Sequence, residues 1–342
     1  MTVAELKNKI KSSDVAGAYI FAGEEDYLKK YYLEQLSRIA CPDETFSVFN
    51  KTYFDGEEID FASLEEAVKA PPMMSDIKIV AWKYADLDAL TENERIRLEA
   101  LAETVMEYSY TVLVLLTAEN GFDAGTSKRP SKLATRLGKK FNLLNFEKSS
   151  DSQLIAWLKR HFDAQGIGAT PHTLSSLIFR SGHAMQTLIE EVNKLCAYAN
   201  ANGKDNINEE DVALVASPTL ECDAFALSGA ITDKSRERAY LAIQDLKARR
   251  VDANAALAML GRAFSELITV SMLLDEGMGA SDIESTLKWN PYKIKFCISS
   301  AKRWGTARLS DASARLRFLD SASKSGGVSG FTPIEIFVSE YL

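Results

Sequence analysis

An alternation of short apolar runs with amphipathic segments fills the first 147 residues and then stops. Residues 18–22 form the first run, ended by Gly23. Leu28, Tyr32, Leu36 and Ile39 then recur at helical spacing. Residues 46–49 read as a second strand, 77–82 as a third, 112–116 as a fourth and 143–146 as a fifth. Phe61, Leu64 and Val68 mark a helix over 61–70, which Pro71 and Pro72 end because proline biases its predecessor away from helix. Thr91 with Glu94 three residues on fits a capping box, followed by Leu98, Leu101 and Val105 on one face. The run 112–116 is apolar without interruption, as a strand covered on both faces requires. Strands alternating with helices predict an α/β domain with helices on both faces of a parallel sheet.

Beyond about residue 148 the strand signal disappears. Leu154, Leu158 and Phe162 define a helix that stops at Gly166, and Thr170-Pro171 opens the next with proline at its first position. Leu188, Val192 and Leu195 mark a third helix ending near Gly203, and 207–215 a short fourth. Farther on, Leu257, Leu260, Phe264, Leu267 and Ile268 form a long apolar stripe ending at Gly277. Pro291 starts another helix, Leu316, Leu319 and Ala322 lie on one more, and Thr332-Pro333 starts a terminal one. The fold class expected is α/β plus all-α, with domains at 1–147, 148–217 and 218–342.

Composition fits a soluble globular chain. Of 342 residues, 46% are hydrophobic and 26% charged, which excludes disorder and collagen-like repeats. The formal charge of −8 argues against a generally basic, nucleic-acid-coating surface. The acidity is uneven: residues 1–217 hold 24 Lys and Arg against 33 Asp and Glu, whereas 218–342 hold 16 against 15. Cys41, Cys196, Cys222 and Cys297 show no CxxC spacing and read as reduced thiols of a cytoplasmic protein. The first residues lack the apolar core of a signal peptide, and the unbroken run 112–116 is too short for a bilayer, so no membrane contact is expected.

The motifs of nucleotide and metal chemistry are missing. A P-loop needs Gly-Lys followed by Ser or Thr, so that backbone N–H groups cradle phosphates while the side chains meet phosphate and Mg²⁺. Gly138-Lys139 is followed by Lys140 and Gly203-Lys204 by Asp205. After the first strand, where a P-loop would sit, stand Glu24, Glu25 and Asp26, which repel a triphosphate. The third strand leads into Lys83-Tyr84 without an acidic pair. His161, His172 and His183 are eleven residues apart, which suits no helical ligand pair. Gly166-Ile167-Gly168 follows a helix and reads as a turn, not a dinucleotide site. No catalytic residue, metal or cofactor is expected.

Three features remain. Pro71-Pro72-Met73-Met74 places two large apolar residues between a helix and a strand, either capping the core or forming an exposed plug for a partner's pocket. Lys128, Arg129, Lys132, Arg136, Lys139 and Lys140 form a basic cluster, with Lys132, Arg136 and Lys140 at helical spacing. It is either a solvated face or a set of phosphate contacts. Lys288, Trp289, Tyr292, Lys293, Lys295, Phe296, Lys302, Arg303 and Trp304 interleave aromatics with cations, which suits base stacking or a packed helix with a basic outer face. Thr117 lies where nucleotide hydrolases keep a polar sensor, with nothing evident to sense.

An α/β domain, a small helical lid and a helical C-terminal domain make up an AAA+ clamp-loader layout, and the chain resembles the delta subunits of the bacterial DNA polymerase III clamp loader. The resemblance is carried by residues 19–28, 71–80 and 188–195, by Asn290-Pro291-Tyr292, Leu319-Asp320 and Lys324-Ser325-Gly326, in that order along nearly the whole chain. It implies an AAA+-like N-terminal domain without a P-loop, a lid at 148–217 and an oligomerising collar at 218–342. It further implies an accessory subunit of the polymerase holoenzyme that does not hydrolyse ATP. Such a subunit binds the sliding clamp (the beta subunit) and opens it for loading onto primed DNA. Its partners would be that clamp, the other loader subunits in a hetero-pentamer, and primed DNA through the assembled complex. By position, Pro72, Met73 and Met74 match the clamp-binding segment, where the family commonly has a leucine and an aromatic. Lys128, Arg129, Lys132 and Arg136 are the candidate DNA contacts. The alternatives are a helical adaptor, a single-strand DNA-binding module using 288–304, and an ATPase with a degenerate P-loop.

Overall fold

A computed structural model describes every residue except 119, 127 and 128. The chain divides into two compact units, Met1–Ser149 and Ser150–Leu342.

The first unit runs α1 (Val3–Ser12), β1 (Gly17–Ala22), α2 (Asp26–Ala40), α3 (Ser47–Asn50), β2 (Lys51–Asp55), α4 (Phe61–Lys69), β3 (Lys78–Ala85), α5 (Glu92–Tyr108), β4 (Thr111–Thr117), β5 (Gly125–Thr126), β6 (Arg129–Pro130), α6 (Lys132–Leu137) and β7 (Asn142–Asn145). Five strands form one parallel sheet in the order β2-β3-β4-β1-β7. The strand pleat sends alternate residues to opposite faces. Ala18, Ile20, Val80, Trp82, Leu113 and Leu115 pack with Leu64 and Val68 of α4 and Leu98 and Leu101 of α5. Tyr19, Phe21, Ile79, Ala81, Val112 and Val114 pack on the other side with Leu6 of α1 and Tyr32, Leu33 and Leu36 of α2. Every residue of central β4 is buried, as its unbroken apolar run requires. The Thr91–Glu94 capping box opens α5.

One expected strand moves. Residues 46–49 are not extended: a 3-10 turn at Glu44–Phe46 leads into α3, and the strand begins at Lys51. Asp43 starts the turn by accepting the Thr45 N–H at 2.9 Å. β2 is an edge strand with no residue fully buried, so its half-polar sequence lacks the apolar run that marks its neighbours.

The second unit is helical: α7 (Asp151–Ala164), α8 (Pro171–Ser181), α9 (Met185–Ala201), α10 (Glu209–Val215), α11 (Leu220–Thr232), α12 (Arg236–Ala248), α13 (Ala253–Asp275), α14 (Ala280–Leu287), α15 (Pro291–Lys324) and α16 (Thr332–Tyr341). A two-residue parallel pair, β8 (Gly168–Ala169) with β9 (Asn206–Ile207), joins the loops among the first four. By length and composition α13 passes as a membrane-crossing helix. Its Leu257, Leu260, Phe264, Leu267 and Val270 are buried in the helical core instead. The two helices expected after Pro291 both form within the span labelled α15: Gly305, with a φ of 70° and a ψ of 163°, leaves the helical region and separates the helix that starts at Pro291 from the one that carries Leu316 and Leu319. Asn290 ties the unit together. Its side chain caps α15 at Tyr292 N–H (2.9 Å), donates to Asp151 of α7 (2.8 Å) and accepts from the Ser175 hydroxyl of α8 (3.0 Å).

Candidate functional site

The segment between α4 and β3 is built to stand out from the sheet. The last carbonyls of α4 would have no partners in the helix itself. Buried Lys78 donates to Ala67 O, Thr111 Oγ1 to Val68 O at 3.1 Å, and Tyr110 OH to Lys69 O at 2.7 Å. Those three side chains, with Pro71 and Pro72 lacking N–H donors, end the helix and turn the chain outward. Burial pulls the Lys78 ammonium down to about 8.

The loop itself is pinned. Asn50, buried at the end of α3, donates from Nδ2 to Met73 O and accepts the Met73 N–H at Oδ1, both at 2.8 Å. The Ser75 hydroxyl lies 2.9 Å from Ile77 O and 3.1 Å from Ala40 O, so its one proton closes the loop on itself just before β3 or ties it to the end of α2. Between these ties Met74 takes a left-handed φ of 53°, uncommon for a side chain of its size. Neither methionine caps the core: Met73 is 47% and Met74 81% exposed, and Pro72 is half-buried. A fixed backbone therefore presents two flexible apolar side chains to solvent. Sequence reasoning missed Asn50, since no local spacing connects residues 23 positions apart.

The turn between β1 and α2 holds no phosphate cradle. Gly23 has φ +97°, and a Cβ there would lie 2.4 Å from Phe146 O, so the turn sits against the chain just after β7. Phe146 O accepts the Glu25 N–H at 3.0 Å. A helix N-terminus favours an anion, and here the chain's own carboxylates fill that role. Glu25 is buried at the N-cap position of α2, and that burial raises its carboxyl above the usual range. Asp26 pairs with Lys29 at 2.8 Å, and Glu24 with Lys148 at 2.7 Å. Lys29 also donates to Thr117 O at 2.9 Å, and Thr117 is buried at the end of β4. The cleft beside the turn, about 460 Å³, is lined by four carboxylates, Glu24, Asp88, Asp123 and Glu147, against one lysine, Lys148, an excess of negative charge that disfavours phosphate.

The basic cluster divides. Lys128 lies outside the described residues. Arg129 on β6 and Lys132 at the start of α6 are exposed. Arg136 is half-buried and held by Glu99 at 2.5 Å and Glu92 at 2.6 Å of α5, both of which raise its pKa. Lys140 lies beyond the end of α6 and pairs with Glu103 at 2.5 Å. A phosphate at Arg136 or Lys140 would have to displace carboxylates.

In the stretch 288–304 the aromatics turn inward. Trp304 is buried, and Trp289 and Phe296 pack against the helical core. Lys293 is buried between Glu221 at 2.7 Å and Glu266 at 2.9 Å, over the rings of Trp289 and Phe225. These rings are therefore committed to packing rather than to base stacking. The histidines are scattered: His161 packs on Trp157, His172 bonds Glu209 at 2.6 Å and His183 bonds Asp151 at 2.8 Å. Among the described residues no group of three or more His, Cys, Asp and Glu could hold a metal ion.

Two models of one protein family match the chain. "DNA polymerase III, delta subunit" matches residues 19–147, and "DNA polymerase III delta subunit, C-terminal domain" matches residues 221–341. The chain is 22% identical over 346 residues to DNA polymerase III subunit delta of Bacillus subtilis (strain 168), spanning 99% of this chain and 97% of that protein. In fold it matches the Bacillus subtilis DNA clamp loader delta protein with a TM-score of 0.60 at 20% identity, covering 99% of both chains.

Proposed function

The chain belongs to the DNA polymerase III delta subunit family, and on that premise we propose that it is a non-catalytic clamp-loader subunit that binds the sliding clamp and favours its open form for loading onto primed DNA. The observation that carries this reading is the pair of exposed methionines, Met73 and Met74, on a backbone held by Asn50. Pro72, Met73 and Met74 form the clamp-binding segment. Because the loop is already ordered, little chain entropy is lost on docking. The methionines, lacking a ring but adaptable in shape, fill an apolar pocket on the clamp. Contacts made better with the open clamp than with the closed one shift the ring toward opening by that difference in affinity.

The rest of the chain supports an accessory role. The acidic turn between β1 and α2 leaves the subunit without nucleotide chemistry of its own. Residues 148–217 serve as the lid and 218–342 as the collar that joins the other loader subunits. DNA is met through the assembled complex, with Arg129 and Lys132 better placed for phosphates than Arg136, which two carboxylates already hold.

The deciding experiment is a titration of the purified full-length chain with the sliding clamp of the same organism, beside Met73→Ala/Met74→Ala, with circular dichroism verifying the fold. Saturable binding by the wild type, weakened roughly a hundredfold in the variant, is expected for loss of two central apolar anchors. Absence of wild-type binding at micromolar concentration would remove the reading.

A further inference from the structure

The short helix α3 (Ser47–Asn50) has a buried end and an exposed apolar face. Asn50 is 1% exposed, yet its neighbours Val48 and Phe49 are 83% and 56% exposed. Among the exposed large hydrophobic residues described, Val48 and Met74 are the two most open to solvent. They stand on segments 23 residues apart that are joined directly, because the Asn50 side chain holds both polar groups of the Met73 backbone. Phe49 therefore precedes the residue that grips the loop, and Met74 follows the residue that is gripped. The molecule keeps four apolar side chains, Val48, Phe49, Met73 and Met74, at one edge of the sheet.

Such an arrangement has a cost in solubility that a lone exposed residue does not, and contiguous apolar patches mark interaction sites. The size of the contact points the same way. Two methionines cover only part of the ~800 Å² per partner that a standard interface buries. The Asn50 bonds bring the additional apolar surface to the loop without any rearrangement.

We propose that Val48 and Phe49 form a second apolar anchor for the partner that receives Met73 and Met74, so that the clamp is gripped from two segments held in register by Asn50. This rests on the clamp-binding reading above. The partner surface it calls for is an apolar pocket for the methionines with an adjoining apolar shelf for α3.

The test uses the full-length chain and the intact clamp. Val48→Ser/Phe49→Ser is compared with wild type, with Met73→Ala/Met74→Ala, and with Leu241→Ser, an exposed residue of the second unit. Because Val48 and Phe49 contribute little to the core, circular dichroism and melting should be unchanged. The expected result is a loss of clamp affinity of about tenfold for the α3 variant and none for Leu241→Ser. Amide exchange of residues 47–50 in the wild-type chain, which needs no substitution, should slow on clamp binding. An α3 variant that binds like wild type, with unchanged exchange at 47–50, overturns the second anchor. If Met73→Ala/Met74→Ala still loses binding in that case, the clamp reading itself survives. Failure of the wild-type chain to bind overturns both.

Discussion

The two units use buried polar side chains for opposite ends. In the first, buried Asn50, Lys78 and Thr111, helped by the partly exposed Tyr110, satisfy the backbone around one loop and hold apolar side chains out in water. In the second, Asn290 and Lys293 join helices to one another and draw apolar rings inward. The comparison shows that exposed hydrophobic residues can be as specifically placed as buried ones. What distinguishes them from chance exposure is the number of hydrogen bonds fixing the backbone beneath them.

That contrast can be broken most forcefully at Asn290. Asn290→Ala removes the α15 cap and leaves groups on α7 and α8 without their partner, so we expect a destabilisation of about 3 kcal/mol. Chemical denaturation should register it, while clamp affinity through the first unit stays as in the wild type. A matching drop in clamp affinity would mean that the two sets of polar contacts are not independent.

Lys78 sharpens the comparison through pH. Its folded pKa of about 8 lies below the ordinary 10.5. Between these values the unfolded chain holds a proton that the folded chain has released. Stability should therefore rise between about pH 8 and pH 10.5, by about 3 kcal/mol, and this contribution should be flat below pH 8. Denaturant midpoints across that range should lose the rise in Lys78→Met.

Asn50 gives a smaller effect, directed at the loop. Asn50→Ala leaves the N–H and carbonyl of Met73 without their partner, for about 1–2 kcal/mol of stability. Clamp affinity should fall about fivefold because the loop must then be ordered on binding. Asn50→Asp keeps the acceptor for the Met73 N–H but sets an oxygen against the Met73 carbonyl, so it should rescue only part of the affinity. Equal affinity in all three proteins would show that the loop needs no fixing.

The smallest effect is expected in the basic cluster. In the assembled loader, Arg129→Gln/Lys132→Gln should weaken DNA retention a few-fold at low salt and reduce its salt dependence. Arg136→Gln should do less, since Glu92 and Glu99 already engage that cation. A larger loss at Arg136 would mean that the α5 carboxylates release it on contact with DNA.

Much of the fold was legible from residue order. The apolar runs at 18–22, 77–82 and 112–116 lie in or across β1, β3 and β4, because strands covered on both faces must be apolar throughout. The edge strand β2 carries no such demand, so the pattern points to residues 46–49 while the strand itself lies at Lys51–Asp55. The location of Met73 and Met74 was legible from the proline pair before them, but their exposure was not. By spacing, the interleaved aromatics and lysines at 288–304 allow base stacking but favour a packed helix with a basic outer face. Contacts with Phe225, Glu221 and Glu266 from other helices separated the two readings.

The sequence by itself determined the alternation of strands and helices, the mainly helical second part and the carboxylates where a phosphate cradle would sit. These follow from local periodicity and residue chemistry, which act within a few residues. Only the tertiary structure decided that Asn50 grips Met73, that Lys78 closes α4 and that α3 and the methionine loop share one edge. Each joins groups distant in the chain, and hydrogen bonds of that kind depend on where the packed core brings two backbones together.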